Sequence, residues 1–371
     1  MSAEVKAANP RSSGATLVFP AGHPAGREYI EAARQRGERW VAASSVPDRE
    51  FEAEFGSLVM LPYVHEADFG TRLADLVREN GIASIYAPVT AVFVSLEKLI
   101  QEQALDVGLV GHSPIKTEMA RFRRLLEKAS RYEAFIAACA EGGRLPDRLE
   151  AASVFKAAAQ IYGESNEDKI AAIQGIFATA PKGDVVEIGT LVGRSAAVLT
   201  LMARRHGTGR VLAIDPWAPG PATQHDSPSV VCVEMIKEWD YDVLPQDFAV
   251  NLWSVGWGYV NYLQCESAAG FEHYRREPVV RSALFGETRY EGRIAVLHID
   301  GNHDYAQVKL DSELWLQALA PDGWLILDDY IWAHGDGPYR IGNALLEARQ
   351  HQIVRAFTCG KALFVKFNGS N

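Results

Sequence analysis

The sequence predicts an α/β protein: a doubly wound, Rossmann-like parallel sheet towards the C-terminus, a smaller N-terminal α/β domain, and a helical connector between them. Three observations carry this prediction. Short apolar runs alternate with helical patterns, as they do in parallel strand–helix–strand units. The stretch Asp184-Val-Val-Glu-Ile-Gly-Thr-Leu-Val-Gly-Arg-Ser195 passes from a buried strand through a glycine loop into a helix start, the crevice where open α/β sheets bind nucleotides. Later strand-like runs end in acidic residues, at Asp215, Asp300 and the pair Asp328 and Asp329, which a parallel sheet gathers at one edge. At 371 residues the chain is long enough for two domains. The expected division is 1–114 for the first domain, 115–180 for the connector and 181–371 for the second.

Composition narrows the function. Apolar residues make up 48% and charged residues 23%, which suits a chain that buries a large core. A formal charge of −10 argues against a nucleic-acid partner, whose phosphates call for a basic face. Cys139, Cys232, Cys265 and Cys359 stand far apart with no Cys-x-x-Cys pair, so reduced thiols are expected rather than disulfides or a zinc site. Residues 1–14 are polar, with no hydrophobic signal core, and no run approaches the roughly 18 apolar residues of a membrane span. The expectation is a soluble, cytoplasmic protein with no membrane partner.

In the first part, strands are expected at 16–20, 40–44, 57–61, 83–87 and 107–110, with helices at 26–36, 69–80 and 92–103. The glycines of Phe19-Pro-Ala-Gly-His-Pro-Ala-Gly-Arg-Glu28 match no phosphate motif, so a structural turn is expected there. In pattern, 16–113 resembles the small α/β domain that precedes ATP-grasp domains in biotin-dependent carboxylases and peptide ligases. No ATP-grasp domain follows, because the chain turns helical at Lys116. This domain is therefore expected to serve oligomerisation, giving a homo-oligomer, or to shape an acceptor site. The connector comprises helical stretches 116–141 and 149–180, interrupted by Gly142-Gly143 and Pro146. A polar turn at 164–168 offers Ser165 or Asn166 as a helix cap, and the helix after it is placed to cover the cleft.

The loop Glu187-x-Gly189-x-x-x-Gly193 lacks the Gly-x-Gly-x-x-Gly spacing of a dinucleotide site, which disfavours a nicotinamide oxidoreductase. It suits a zwitterionic amino-acid tail on an adenosine. It resembles the first motif of class I methyltransferases that use S-adenosylmethionine. The resemblance implies that Glu187, Gly189, Gly193 and Ser195 hold this cofactor. It also implies that Asp215 takes the ribose hydroxyls, and that Glu266 and Ser267 flank the adenine after a third strand at 259–264. A carboxylate can accept both bonds of a vicinal diol; a strand-end aspartate can equally cap a turn, and Ser267 can equally N-cap a helix. The long segment 216–258 is rich in Pro and Gly at its start and carries Trp239, Tyr241, Trp253 and Trp257, which suit either an acceptor lid or core. A second insertion, 277–292, suits another wall or an oligomer contact.

The last motif is Ile-Asp300-Gly-Asn-His303-Asp-Tyr, then fifteen residues, then Pro-Asp-Gly-Trp-Leu-Ile-Leu-Asp328-Asp329-Tyr. This pair resembles the macrocin, mycinamicin and novobiocin type of sugar and natural-product O-methyltransferases, whose loop reads Asp-Gly-x-His-x-Tyr or a related form, without the histidine in the novobiocin type, with a downstream Asp-Asp. The resemblance covers 184–367, and mycinamicin-type members also carry an extra N-terminal α/β domain. Clustered carboxylates without thiolates suit a hard divalent metal such as Mg²⁺, so Asp300, Asp328 and Asp329 are the candidate ligands; Asp328 and Asp329 can alternatively only stabilise a turn. His303 is the candidate general base, since an imidazole accepts a proton near neutral pH, with Asp300 as the alternative. His298 is expected to be a core histidine facing away from Asp300. His225 and His334 lie in loops near the expected mouth, 332–339 reads as a rim loop, and strands at 353–358 and 362–367 are expected to close the sheet as an antiparallel pair. The resulting expectation is a metal-dependent O-methyltransferase moving a methyl group from S-adenosylmethionine to a hydroxyl of a small-molecule acceptor, a sugar or glycosylated natural product. The alternatives are a metal-independent methyltransferase acting on a phenol or amine, and a non-catalytic nucleotide-binding assembly protein.

Overall fold

The computed structural model describes residues 14–140, 142–228 and 234–369; Cys232 and residues 1–13, on which expectations were placed above, lie outside these. The chain divides into two units between Arg124 and Leu125. In the first, strands β1 (Ala15–Val18), β2 (Trp40–Ser44), β3 (Val59–Met60), β4 (Ile82–Tyr86) and β5 (Gly108–Leu109) form a parallel sheet in the order β3-β2-β1-β4-β5. Helices α1 (Pro24–Gln35), α3 (Phe69–Asn80) and α4 (Thr90–Glu102) match the expected pattern closely. The short helix α2 (Arg49–Phe55) was not anticipated. It is held by Asp48, whose side chain accepts from the Phe51 amide, and by burial of Phe51.

A long helix α5 (Pro114–Ala140) contains the division between the units. It is followed by α6 (Arg148–Ala159) and α7 (Glu167–Ile176). A capping box of Asp147 and Glu150 starts α6, and the Asn166 side chain starts α7 by accepting from the Lys169 amide at 2.9 Å. These helices share one core with the sheet of the second unit: Ile136, Phe155 and Ile173 pack with Val185, Leu199 and Trp324.

That sheet contains β6 (Asp184–Ile188), β7 (Val211–Ile214), β8 (Val260–Leu263), β11 (Ile294–Ile299), β12 (Leu319–Leu327), β13 (Ile353–Cys359) and β14 (Ala362–Phe367), in the order β13-β14-β12-β11-β6-β7-β8. The strands from β12 to β8 are parallel, and β14 runs antiparallel to both of its neighbours. The intervening helices are α8 (Arg194–His206), α9 (Pro219–Ala222), α10 (Leu244–Gly256), α11 (Ser267–Arg276), α12 (Tyr305–Trp315) and α13 (Gly337–Ala348). Side chains alternate between faces along each strand. Val185 and Val296 therefore meet the α6–α8 layer, while Val186 and Leu297 meet Tyr274, Val308 and Trp315 on the other side. The insertion 277–292 is a hairpin of β9 (Val279–Ser282) and β10 (Gly286–Arg289), pinned by the Asn261 amide, which donates to Val280 O, Gly286 O and Thr288 Oγ1.

Two glycines are sterically required. Gly189 has φ +75°, and a Cβ there would lie 2.2 Å from the Asp300 carbonyl oxygen. Gly193, at φ +91°, would drive a Cβ to 2.3 Å from Leu252 and 2.9 Å from Phe248, both on α10. The crevice between the ends of β6 and β11, where the strand order reverses, is thus a close backbone contact. Among the described residues no helix is long and apolar enough to cross a membrane, and Cys139, Cys265 and Cys359 are free thiols.

Candidate active site

A cavity of about 1180 Å³ opens at the C-terminal edge of the second sheet. Its wall includes Gly189, Ser195, Asp215, Glu266, Ser267, Asp300, His303, Asp328 and Asp329, all anticipated from the sequence. Asp215 organises one side. Its Oδ2 accepts from the Thr190 and Leu191 amides, each at 2.9 Å, and its Oδ1 from the Trp217 amide at 2.8 Å. The loop after β6 is thereby tied to the loop after β7. Burial raises the Asp215 pKa, and these backbone donors oppose the rise. The Trp217 indole adds a bond to Leu191 O at 2.8 Å.

Two anticipated cofactor residues do not line the cavity. Glu187 is fully buried on the α7 side of the sheet, where its oxygens are taken by the Thr190 hydroxyl at 2.6 Å and by His298 Nδ1 at 2.8 Å. Gly193 lies under α10, for the steric reason given above. Ser267 is the first residue of α11, not its cap, and accepts a bond from the Trp315 indole at 2.9 Å. Trp239 and Tyr241 reach the cavity, whereas Trp253 and Trp257 pack on each other at 4.5 Å away from it. The hairpin 277–292 contributes no lining residue.

The opposite side is a cluster of charge. Asp300 follows β11, and Asp328 and Asp329 follow the neighbouring β12. The fully buried Lys169 of α7 reaches Asp300 Oδ2 at 3.3 Å and is ion-paired with Asp328 Oδ2. Burial alone would depress the lysine pKa, but Asp300 and Asp328 raise it above the ordinary value. Burial and the adjoining Asp328 push Asp300 well up; burial acts the same way on Asp328, yet Lys169 wins and holds it low. Lys361, in the turn between β13 and β14, bridges Asp329 at 3.3 Å and Glu164 at 3.1 Å. His298 is buried, as expected, but faces Asp300 rather than away from it: residues two apart on a strand share a face, and Nε2 lies 3.6 Å from Asp300 Oδ2.

His303 is held from several directions. Nε2 sits 3.2 Å from Asp329 Oδ2, Nδ1 lies 3.4 Å from the Gln224 amide, and Trp332 packs edge-on at 4.5 Å. Burial lowers its pKa, opposed by Asp329 and Asp328, so the neutral ring prevails at pH 7. The loop 219–228 is fastened to the His303 turn. Asn302 donates to Pro221 O and Thr223 O, Asp304 accepts from the His225 and Asp226 amides, and Asp226 accepts from the Tyr305 amide. His225 and His334 both line the cavity. Lys169, Lys361, Gln224 and Asn302 escaped the sequence reading. A lysine amid Ile170, Ala171 and Ile173 on a buried face was the one available signal.

Asp311 of α12 also borders the cavity; it is buried and accepts from Gln307 at 2.9 Å. Burial lifts its pKa from 3.8 to about 6. A carboxyl raised on folding contributes stability that is complete below its unfolded pKa and lost as pH rises through the folded one, here between about 4 and 6. Asp311→Asn is expected to raise unfolding stability at pH 8 by up to about 3 kcal/mol and to leave it unchanged near pH 3. Urea titrations at the two pH values check this, and equal stabilities at pH 8 would reject it.

Residues 186–330 match the family model described as a methyltransferase domain. No curated protein matches the sequence. Similar solved structures include the O-methyltransferase NovP, 16% identical over 54% of this chain and 79% of that one, with a TM-score of 0.38. CalS11, a calicheamicin methyltransferase, is 10% identical over 69% and 94%, with a TM-score of 0.36. MycE, a methyltransferase of the mycinamycin biosynthetic pathway in a structure with Mg and SAH, is 15% identical over 61% and 55%, with a TM-score of 0.37.

Proposed function

We propose that this chain, whose second unit carries a methyltransferase domain, transfers a methyl group from S-adenosylmethionine to a hydroxyl of a small molecule, a sugar or glycosylated natural product. The observation that carries this reading is His303: a neutral imidazole braced by Asp329 and Gln224 on the cavity wall, across the Gly189–Asp300 contact from the glycine loop. The loop of Gly189 and Ser195, with Asp215 for the ribose hydroxyls and Glu266 and Ser267 towards the adenine, would seat the cofactor. His303 would take the acceptor proton, and the cofactor would supply the methyl group to the freed oxygen and leave as a neutral sulfide.

The donors on the cavity wall fit a hard divalent ion. Asp300, His303 and Asp329 offer atoms within 4.8 Å of one another, and no thiolate is among them. Asp300 and Asp329 would hold Mg²⁺, which would supply positive charge to acidify the acceptor hydroxyl. Asp328, the third carboxylate expected as a ligand, is ion-paired with Lys169.

The test is calorimetric titration of S-adenosylmethionine and its demethylated product, with Mg²⁺ and after EDTA, followed by labelled methyl transfer to a panel of hydroxylated acceptors. Cofactor binding that survives EDTA, with transfer that EDTA abolishes and Mg²⁺ restores, is expected. Absence of cofactor binding under every condition would overturn the reading. Full transfer after exhaustive chelation would leave a metal-independent methyltransferase.

A further inference from the structure

Lys169 places a charge on the buried face of an apolar helix. Ile170, Ala171 and Ile173 are buried beside it, and its own side chain is 1% exposed. The Asn166 side chain fixes its amide, and Gly360 passes so close that a Cβ there would lie 3.0 Å from that same nitrogen. The backbone at Gly360 thus packs directly against the start of the helix that carries the lysine.

The ammonium ends in a position that otherwise has the makings of a metal site. His298 gives Nδ1 to Glu187 at 2.8 Å, which leaves Nε2 as a lone pair. That Nε2 is buried, has no hydrogen-bond partner, and points to Asp300 Oδ2 at 3.6 Å. An imidazole oriented by a carboxylate is the usual support of a metal ligand. Atoms of His298, Asp300 and Asp328 lie within 4.8 Å of one another, and Lys169 contacts both aspartates. A second group, Asp300, His303 and Asp329, stands beside it on the cavity wall.

We propose that Lys169 is the resident cation of the inner position bounded by His298, Asp300 and Asp328, so that the cluster takes one divalent ion only, at Asp300 and Asp329. The outer ion belongs to the reading above, and the inference rests on that reading to this extent. A covalently tethered cation cannot be chelated. It keeps Asp300 and Asp328 in place when no ion is bound, and Asp328 serves the lysine rather than the metal.

Mn²⁺ titrations of the full chain, by calorimetry and by electron paramagnetic resonance of free Mn²⁺, test this on wild type, Lys169→Met and Asp328→Asn. Lys169→Met is expected to bind one ion more than wild type. Asp328→Asn is expected to lose less than about 100-fold in affinity, the range of a residue that only supports a ligand, where loss of a true ligand would leave no measurable binding. The same ion count in wild type and Lys169→Met would overturn the inference, as would complete loss of binding in Asp328→Asn. If circular dichroism shows Lys169→Met unfolded, Asp328→Asn decides alone. No ion in wild type and one in Lys169→Met would support the lysine assignment while sinking the metal-dependent reading of the outer site.

Discussion

Replacing His303 with alanine is expected to lower turnover by about 10²–10⁴-fold while leaving affinity for the demethylated cofactor nearly unchanged. The split follows from position. The ring is held by Asp329 at 3.2 Å and Gln224 at 3.4 Å, across the Gly189–Asp300 contact from the loop that Asp215 organises. With Nε2 turned to Asp329, Nδ1 is the nitrogen that would take the proton, giving up its 3.4 Å contact with the Gln224 amide. Burial sets its titration below the ordinary imidazole value of 6.5, so the base is unprotonated throughout the neutral range and turnover should decline only in acid. Single-turnover kinetics with labelled cofactor provide the measurement. Turnover near wild type would remove His303 as base and pass the role to Asp300, whose carboxyl is raised by burial and by Asp328.

Asp215→Ala should be the most damaging single change to cofactor binding, weakening it about 100-fold or more. The carboxylate accepts three backbone N–H groups, and each donor orphaned in a buried place costs about 1–3 kcal/mol. The loop carrying Thr190 and Leu191 would lose its anchor together with any bond to the ribose. Asp215→Asn retains an accepting oxygen and should lose about 10- to 100-fold, since one charge-assisted bond is worth about 1.5–3 kcal/mol. Hydrogen exchange at the Thr190 and Leu191 amides separates loop disorder from lost ligand contact. Unchanged cofactor affinity in Asp215→Ala, with fast exchange there, would reject the ribose role and leave Asp215 as a loop anchor only.

The elements that position the cavity were legible because they are local. An apolar run, a glycine and an acidic residue within a dozen positions describe the end of β6, and the same logic located Asp215, Asp300, Asp328 and Asp329. Lys169 was illegible because its partners lie 131 and 159 residues away; nothing in α7 announces what a buried lysine will meet. Glu187 was misjudged for a related reason. Its partner His298 is 111 residues distant, and strand alternation turns both towards α7, behind the cavity. His298 could have been placed correctly from the sequence, since positions 298 and 300 share a face by the two-residue period alone. The helix α2 is only seven residues long, too short for a periodic signal.

The missing side chain at Gly189 has a consequence for how such a protein can diversify. With the Asp300 carbonyl against its α-carbon, the gap between the glycine loop and the turn bearing His303 is set by two backbones in contact. Acceptors of different bulk would then be accommodated by the loop at 219–228 and the turn bearing Trp332, with the distance that governs chemistry carried unchanged through each variation. In the proposed reaction the donor and acceptor walls would then be separate, so new acceptor ranges would arise by loop replacement without retuning the reaction.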